Sequence, residues 1–363
     1  MRVCAFLAAL FLLVAIGPDR LEARPTLLFE PATNKVFYAE DIDQSWHPAS
    51  LTKIMTAYVV FEAIKSGKIT LQTKIITSEA ANKMPASKIG LPVGAKMRVE
   101  LALRALIIKS ANDVAVMLAE AVGGSHDAFI ARMNATAKRL GMSRTVFVNP
   151  NGLPADAQVT TARDLAKLAT AIRRDFPQYD HFWGAPSMRI GKRRLRSYNG
   201  LLRTFEGADG LKTGFICDSG YNIVASAMRN GRRLVAIVLG EVSSRARAVR
   251  AASLLEHGFN TYGWKLFFST AELHDIPIST QSIPAPSLRS SIPSVACNPA
   301  LARRRHRAKR RTRNRARRKL RRPARKKARS KQRKQVSAKR TTATAAQTAK
   351  PARPRKKTTA SRN

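Results

Sequence analysis

Apolar and polar positions alternate where the regular part of this chain begins. The run "TLLFEPATNKVFYAE", from Thr26, reads as strand, turn and strand, with Pro-Ala-Thr-Asn as the turn, and predicts a β-hairpin. The period then becomes helical. From about Ala49 the run "LTKIMTAYVVFEAI" suits a helix, and similar periodicity covers about Val99 to Ala121, His126 to Leu140 and Ala162 to Arg174. Thr160-Thr161 supplies a capping signal for the last of these. Two strand-like runs follow, "YNIVASAM" and "RLVAIVLG", on either side of Asn230-Gly231, a pair favoured in type I′ hairpin turns. A helix from about Ser244 to Gly258 closes the pattern. Strands at both ends with helices between them predict an α/β fold, one mostly antiparallel sheet packed by helices.

Composition separates the two ends from this middle. Arg2 precedes a thirteen-residue apolar stretch, Cys4 to Ile16, and Leu21-Glu22-Ala23 offers a small residue before Arg24-Pro25, which reads as a secretory signal over 1–23. An uncleaved anchor is the alternative. Cys4 stands at the start of the apolar run, not after it, so no lipoprotein attachment is implied. Residues 301–363 hold 29 Lys or Arg and no Asp or Glu, so the first 300 residues carry only +14 of the formal +43. Leu301, Leu320 and Val336 are that tail's sizeable apolar residues, too few to offset chain entropy, and it is expected to be disordered. Upstream, "DIPISTQSIPAPSLRSSIPS" reads as a Pro/Ser linker over 264–300. The remaining residues, 24–263, suffice for one well-cored domain.

Beyond the signal lie two cysteines, Cys217 and Cys297, a poor basis for a disulfide framework; a free thiol or an occasional link is expected. The histidines are scattered without metal-ligand spacing, so no metal is expected.

Candidate chemistry starts at "HPASLTKIMTAYVV", where Ser50 and Lys53 stand three apart and share one helical face. A neutral lysine there can take the serine proton, but neutrality at pH 7 requires burial or a nearby cation. Alone this spacing is uninformative, because about one S-x-x-K arises by chance in a chain of this size. Ser50 would then be an ordinary helix cap. Two further stretches change the balance: "KSANDVAV" holds Ser110 and Asn112, and "GADGLKTGF" holds Lys212, Thr213 and Gly214 on a strand. S-x-x-K, S-x-N and K-T-G, in that order and separated by 60 and 102 residues, are the motifs of active-site serine penicillin-recognising enzymes.

With "FVNPNGLP" and "GYNIVASAMRNGRRLVAIVLG" added, the chain resembles the low-molecular-mass penicillin-binding proteins, the secreted D-alanyl-D-alanine carboxypeptidases, over about residues 27–263. The resemblance implies a β-lactamase/transpeptidase-like fold with a helical subdomain. It also implies Ser50 as nucleophile, Lys53 as base, and Ser110 and Asn112 as proton relay and amide contact. Lys212 and Thr213 would meet a substrate carboxylate, Gly214 would let substrate lie against the strand, and the backbone N–H groups of Ser50 and Phe215 would form an oxyanion hole. Phe215 departs from relatives with a polar residue after the glycine. Arg247, ahead of "LLEHGF", matches an arginine near the carboxylate, although Arg245 and Arg250 flank it as on any basic helix face. No cofactor is implied. Peptidoglycan stem pentapeptides are the implied substrate and β-lactam antibiotics the implied inhibitors, in the periplasm or cell envelope.

Carboxypeptidase and endopeptidase activity on cross-links cannot be separated by these motifs. A β-lactamase is a rival, but class A enzymes use a glutamate in E-x-x-L-N between S-x-N and K-T-G. Glu120 and Glu206 are the glutamates in that interval, and neither begins such a segment. A further rival is an inert secreted polyanion-binding protein. About 36 residues separate Trp264 from the basic run, too few for the β-rich domain of many relatives, and the run has no apolar stripe to enter lipid. The tail also lacks aromatic residues on which bases stack, so anionic envelope polymers or lipid headgroups are expected as its partner, not nucleic acid.

Overall fold

Central strands with apolar side chains on both faces need a packed layer on each side. A computed structural model describes residues 24–265, 271–281 and 283–298, with scattered positions between 301 and 335. The expected signal and nearly all of the basic tail lie outside the described residues. In chain order the strands are β1 (Thr26–Phe29), β2 (Val36–Glu40), β3 (Lys74–Ile76), β4 (Lys96–Arg98), β5 (Ser187–Ile190), β6 (Arg193–Arg196), β7 (Ala208–Ile216), β8 (Gly220–Arg229) and β9 (Arg232–Glu241). Five of them make an antiparallel sheet in the order β2-β1-β9-β8-β7, while β3-β4 form a separate two-stranded sheet and β5-β6 a separate hairpin. Arg229 pairs with Arg232 across Asn230 and Gly231, both at positive φ (50° and 74°), as a type I′ turn requires.

The longer helices are α1 (Thr52–Lys65), α2 (Glu79–Lys83), α3 (Val99–Ile108), α4 (Asn112–Gly123), α5 (His126–Arg139), α6 (Ala162–Asp175), α7 (Asp180–Trp183) and α8 (Ser244–Lys265). Along β9, Val235, Ile237 and Leu239 join the core shared with the helical middle, whereas Leu234, Ala236 and Val238 pack with Ala251 and Leu255 of α8. That two-sided burial explains why the strand reads as one apolar run. The expected antiparallel sheet with a helical subdomain is therefore present. One predicted element is divided: periodicity suggested a single helix from Val99 to Ala121, but the chain breaks between α3 and α4. Ser110 there takes φ +57°, and Asn112 N donates to Ser87 O at 2.7 Å. A left-handed residue cannot continue an α-helix, whatever the apolar period around it.

The Pro/Ser-rich segment is a strap laid on the domain. Ala271 O accepts from Val36 N, Leu273 N donates to Asn34 O, and Leu288 N donates to Asp218 O at 2.8 Å. Arg163, itself buried and paired with Asp43 at 2.7 Å, donates to Leu273 O and Pro277 O. Leu273, Leu288 and Ile292 enter the core. A disulfide joins Cys297 to Cys217, just past the end of β7, where a free thiol or an occasional link was expected. The link spans 80 residues, and closing so long a loop restricts the unfolded chain. Replacing both cysteines by alanine is expected to destabilise the domain by about 2–4 kcal/mol. For a domain of this size that lowers Tm by roughly 4–15 °C. Reductant should reproduce the shift in the wild type, and unchanged melting would show that the link adds no stability.

Candidate active site

Four segments converge on Ser50. It lies in a short 3₁₀ turn, Ala49–Leu51, directly before α1, which sets Lys53 one turn inside the helix. Ser110 and Asn112 come from the α3–α4 break, Lys212 to Phe215 from β7, and Asn151 to Leu153 from a loop before α6. Ser50, Ser110, Asn112, Gly152, Leu153 and Thr213 to Phe215 line, with Tyr198, Tyr221 and Arg247, a cleft of about 420 Å³, and the buried Lys53 and Lys212 bond to its serines from behind that lining.

Two glycines permit this convergence. A Cβ on Gly214 would stand 2.8 Å from Pro48 O and 3.2 Å from Ser50 N, so only glycine lets β7 lie this close to the nucleophile's loop. Gly152, at φ +76°, has its absent Cβ aimed 1.9 Å from Ala49 O. The same loop is held by Asn149, whose Oδ1 accepts from Gly152 N at 2.7 Å and Leu153 N at 3.2 Å. Asn222 ties the sheet to the stretch before Ser50, donating to His47 O at 3.0 Å and accepting from Gly240 N at 3.0 Å.

Lys53 is fully buried, and its Nζ meets Ser50 Oγ at 3.1 Å, Asn112 Oδ1 at 2.8 Å and the carbonyl of Asn151. A neutral amine has two N–H donors and one lone pair. Two carbonyl acceptors use the donors, which leaves the lone pair facing the Ser50 hydroxyl, the arrangement a proton acceptor needs. Burial, with the Lys212 ammonium second, holds Lys53 well below the usual lysine range, while Asp113 acts weakly in the other direction. That carboxylate is buried and satisfied by backbone, accepting from Ile89 N at 2.9 Å and Gly90 N at 2.8 Å.

Lys212 is buried beside the pair and donates to Ser110 Oγ at 2.9 Å and to Thr213 O at 3.0 Å. Burial and then the Arg247 charge lower it to about 7. Arg247 is 5% exposed, makes contacts of 3.4–3.5 Å to Asn222 O and Gly214 O, and leaves Nε without a partner. Burial brings it down to about 10. A buried guanidinium with donors to spare, next to a buried ammonium, makes this end of the cleft receptive to a carboxylate. Thr213 and Gly214 adjoin it, and the Phe215 ring packs on Tyr221 at 4.2 Å. Asn112 Nδ2 is engaged by Pro85 O at 3.1 Å, so in this state its carbonyl serves Lys53 and its amide serves the loop.

The profile of the D-alanyl-D-alanine carboxypeptidase family matches residues 14–243, more than half of the chain. The chain belongs to this family. It is 37% identical over 249 residues to D-alanyl-D-alanine carboxypeptidase DacC of Escherichia coli, covering 67% of this chain and 62% of that one. To DacF of Bacillus subtilis it is 33% identical over 246 residues, covering 66% and 63%. The chain thus spans a little under two thirds of the length of these relatives. Penicillin binding protein 5 from Haemophilus influenzae superposes with a TM-score of 0.64 at 34% identity, covering 68% of this chain and 73% of that one. A Listeria monocytogenes penicillin-binding protein in its cefotaxime-bound form gives 0.60 at 31% identity, with 65% and 97% covered.

For this family member, all nine motif-derived residues fall in or directly beside the cleft, Arg247 included. Others in the site carried no motif signal. Asn151 contributes a carbonyl, which any residue has, although "FVNPNGLP" marked the stretch. Tyr198 lies on the lip, where its hydroxyl accepts from Lys109 Nζ at 2.7 Å. Burial works to raise this phenol, but hydrogen bonds from Lys109 and Ser87 outweigh it and lower it. Glu120 accepts from Ser78 at 2.8 Å, and neither it nor Glu206 lines the cleft.

Because Lys212 is a cation beside Lys53, Lys212→Met should raise the pKa of Lys53 without restoring the ordinary value, since burial is the larger cause. NMR titration of carbon-labelled lysine side chains reads this directly. An unmoved Lys53 titration would show that burial alone sets it.

Proposed function

We propose that the protein is a serine D-alanyl-D-alanine carboxypeptidase that trims the stem pentapeptides of peptidoglycan in the cell envelope. The observation that carries this reading is Ser50 on the cleft wall, bonded to the buried Lys53, in a cleft lined at its other end by Arg247 with Lys212 buried beside it. A nucleophile at one end and spare cationic donors at the other suit cleavage next to a terminal carboxylate. Ser50 Oγ attacks the carbonyl between the two D-alanines while Lys53 takes its proton. The backbone N–H groups of Ser50 and Phe215 receive the oxyanion. As the C–N bond breaks, the amine of D-alanine takes a proton relayed from Lys53 by way of Ser110, and its carboxylate rests on Lys212, Thr213 and Arg247. Water then hydrolyses the ester with Lys53 again as base, freeing the shortened peptide and Ser50.

The same nucleophile supports acylation by β-lactams, as the cefotaxime-bound relative suggests. With neither Glu120 nor Glu206 at the cleft, hydrolysis of that acyl-enzyme should be slow. The disulfide supports export, because such links persist in oxidising compartments. The basic tail, on this reading, tethers the enzyme electrostatically to anionic envelope polymers or lipid headgroups.

Ser50→Ala is expected to abolish D-alanine release from a pentapeptide and the mass increment left by penicillin, with unchanged melting. Continued release would remove Ser50 from the mechanism. Activity in wild type should fall as pH drops and Lys53 gains a proton, and carboxylate binding should weaken as pH rises past about 7 and Lys212 loses its own. A chain ending at Asn298 keeps the strap and its disulfide, and should retain cleavage while losing salt-sensitive retention on isolated envelopes. Undiminished retention, or full-length protein still bound in molar salt, would refute the tether.

A further inference from the structure

Beside the cleft stands a hairpin whose charges are unbalanced among the described residues. Within β5, β6 and their turn lie Arg189, Lys192, Arg193, Arg194 and Arg196, all exposed, and none has an acidic partner among the described residues. The register places Arg189 directly opposite Arg194, and Ser187 opposite Arg196, so three arginines share one face. Met188, Ile190 and Leu195, on the other face, pack on the core and fix which way that row points. Like charges directly opposed across a strand pair are destabilising. A pair kept in that position with no counter-charge suits an anion that arrives from outside.

The row also has a direction. Ser197 N donates to Pro186 O at 2.9 Å, which extends the base of the hairpin, and the next residue is Tyr198 on the cleft lip. At about 3.3 Å per residue, Arg196 and Arg194 lie roughly 7 and 13 Å along the chain from Tyr198. An extended peptide reaching out of the cleft covers that distance in about two to four residues. Lys109, bonded to Tyr198 at 2.7 Å, adds another cation at the lip.

Resting on the carboxypeptidase reading, we propose that the outer face of the β5–β6 hairpin is a substrate subsite, in which Arg189, Arg194 and Arg196 take carboxylates of an acidic stem peptide upstream of the scissile bond. The enzyme then prefers acidic donors over neutral ones of equal length, most strongly at low ionic strength.

The test compares the full-length protein with its Arg189→Ala/Arg194→Ala/Arg196→Ala variant on an acidic pentapeptide and on a neutral isostere, both ending in D-Ala-D-Ala. A matched variant lacking Arg321, Arg322 and Arg325 of the tail controls for net charge. Loss of kcat/KM on the acidic peptide by about tenfold, the sum expected of three exposed ion pairs, is the anticipated result. The neutral peptide should be unaffected, the difference should shrink with salt, and Tm should hold or rise as the opposed charges go. Equal loss on both peptides, no loss, or the same loss in the tail variant would overturn the subsite. So would a defect confined to anionic vesicle binding, which would make the arginines a membrane contact. If wild type cleaves neither peptide, the carboxypeptidase reading falls. The hairpin is then judged by anisotropy of the labelled acidic peptide on Ser50→Ala protein, where tenfold weaker binding in the triple variant supports it and equal binding refutes it.

Discussion

A lysine amine with no exposure to water is the constraint around which the cleft is organised. An ammonium in that position would lose several kcal/mol of hydration, so the site favours the neutral form, and neutrality makes the amine useful as a base. In the neutral form the carbonyls of Asn112 and Asn151 take its two N–H donors, which leaves the lone pair for Ser50 Oγ. Asp113 sits close in sequence to Asn112, yet its carboxylate is turned to backbone N–H groups and does not compensate the amine directly.

Holding that amine requires backbone segments closer than side chains ordinarily permit. β7 and the 149–153 loop approach the turn at Ala49 and Ser50 from two sides, and each approach depends on a missing Cβ, at Gly214 and Gly152. Interior packing at crystal-like density leaves little room for such segments to move apart. The same closeness brings β7 alongside the amide of Ser50, so on the proposed reading one strand serves both carboxylate recognition and the oxyanion.

What could be read in advance follows the same physics. Ser50, Lys53, Ser110, Asn112, Lys212, Thr213 and Gly214 could be picked out together because each stands at a motif position that specifies its side chain, or the lack of one, and the fold brings them to one place. The β8–β9 hairpin was legible because Asn230-Gly231 suits positive φ. The helix break at Ser110 was not, since apolar periodicity runs through it and the deciding contact, Asn112 N to Ser87 O, joins distant residues. Nor was the strap, whose anchors Leu273, Leu288 and Ile292 are too widely spaced to form a period and sit in a composition typical of linkers. Its disulfide partner, Cys217, is 80 residues away.

Charge in the cleft is graded, and the grading bears on how substrate and base communicate. Arg247 lowers Lys212, and Lys212 in turn lowers Lys53, so the cations form a series in which each disfavours the next. With Lys212 brought down to about 7, an empty site near neutrality holds it only partly charged. On the proposed reading, a terminal carboxylate arriving between Lys212 and Arg247 stabilises both cations and raises Lys212 above ambient pH. A fully charged Lys212 disfavours the ammonium form of Lys53 further, and burial, the larger cause, is unchanged. The carboxylate therefore completes the cationic end of the site without protonating the base, and a peptide that ends in a neutral amide cannot do the same.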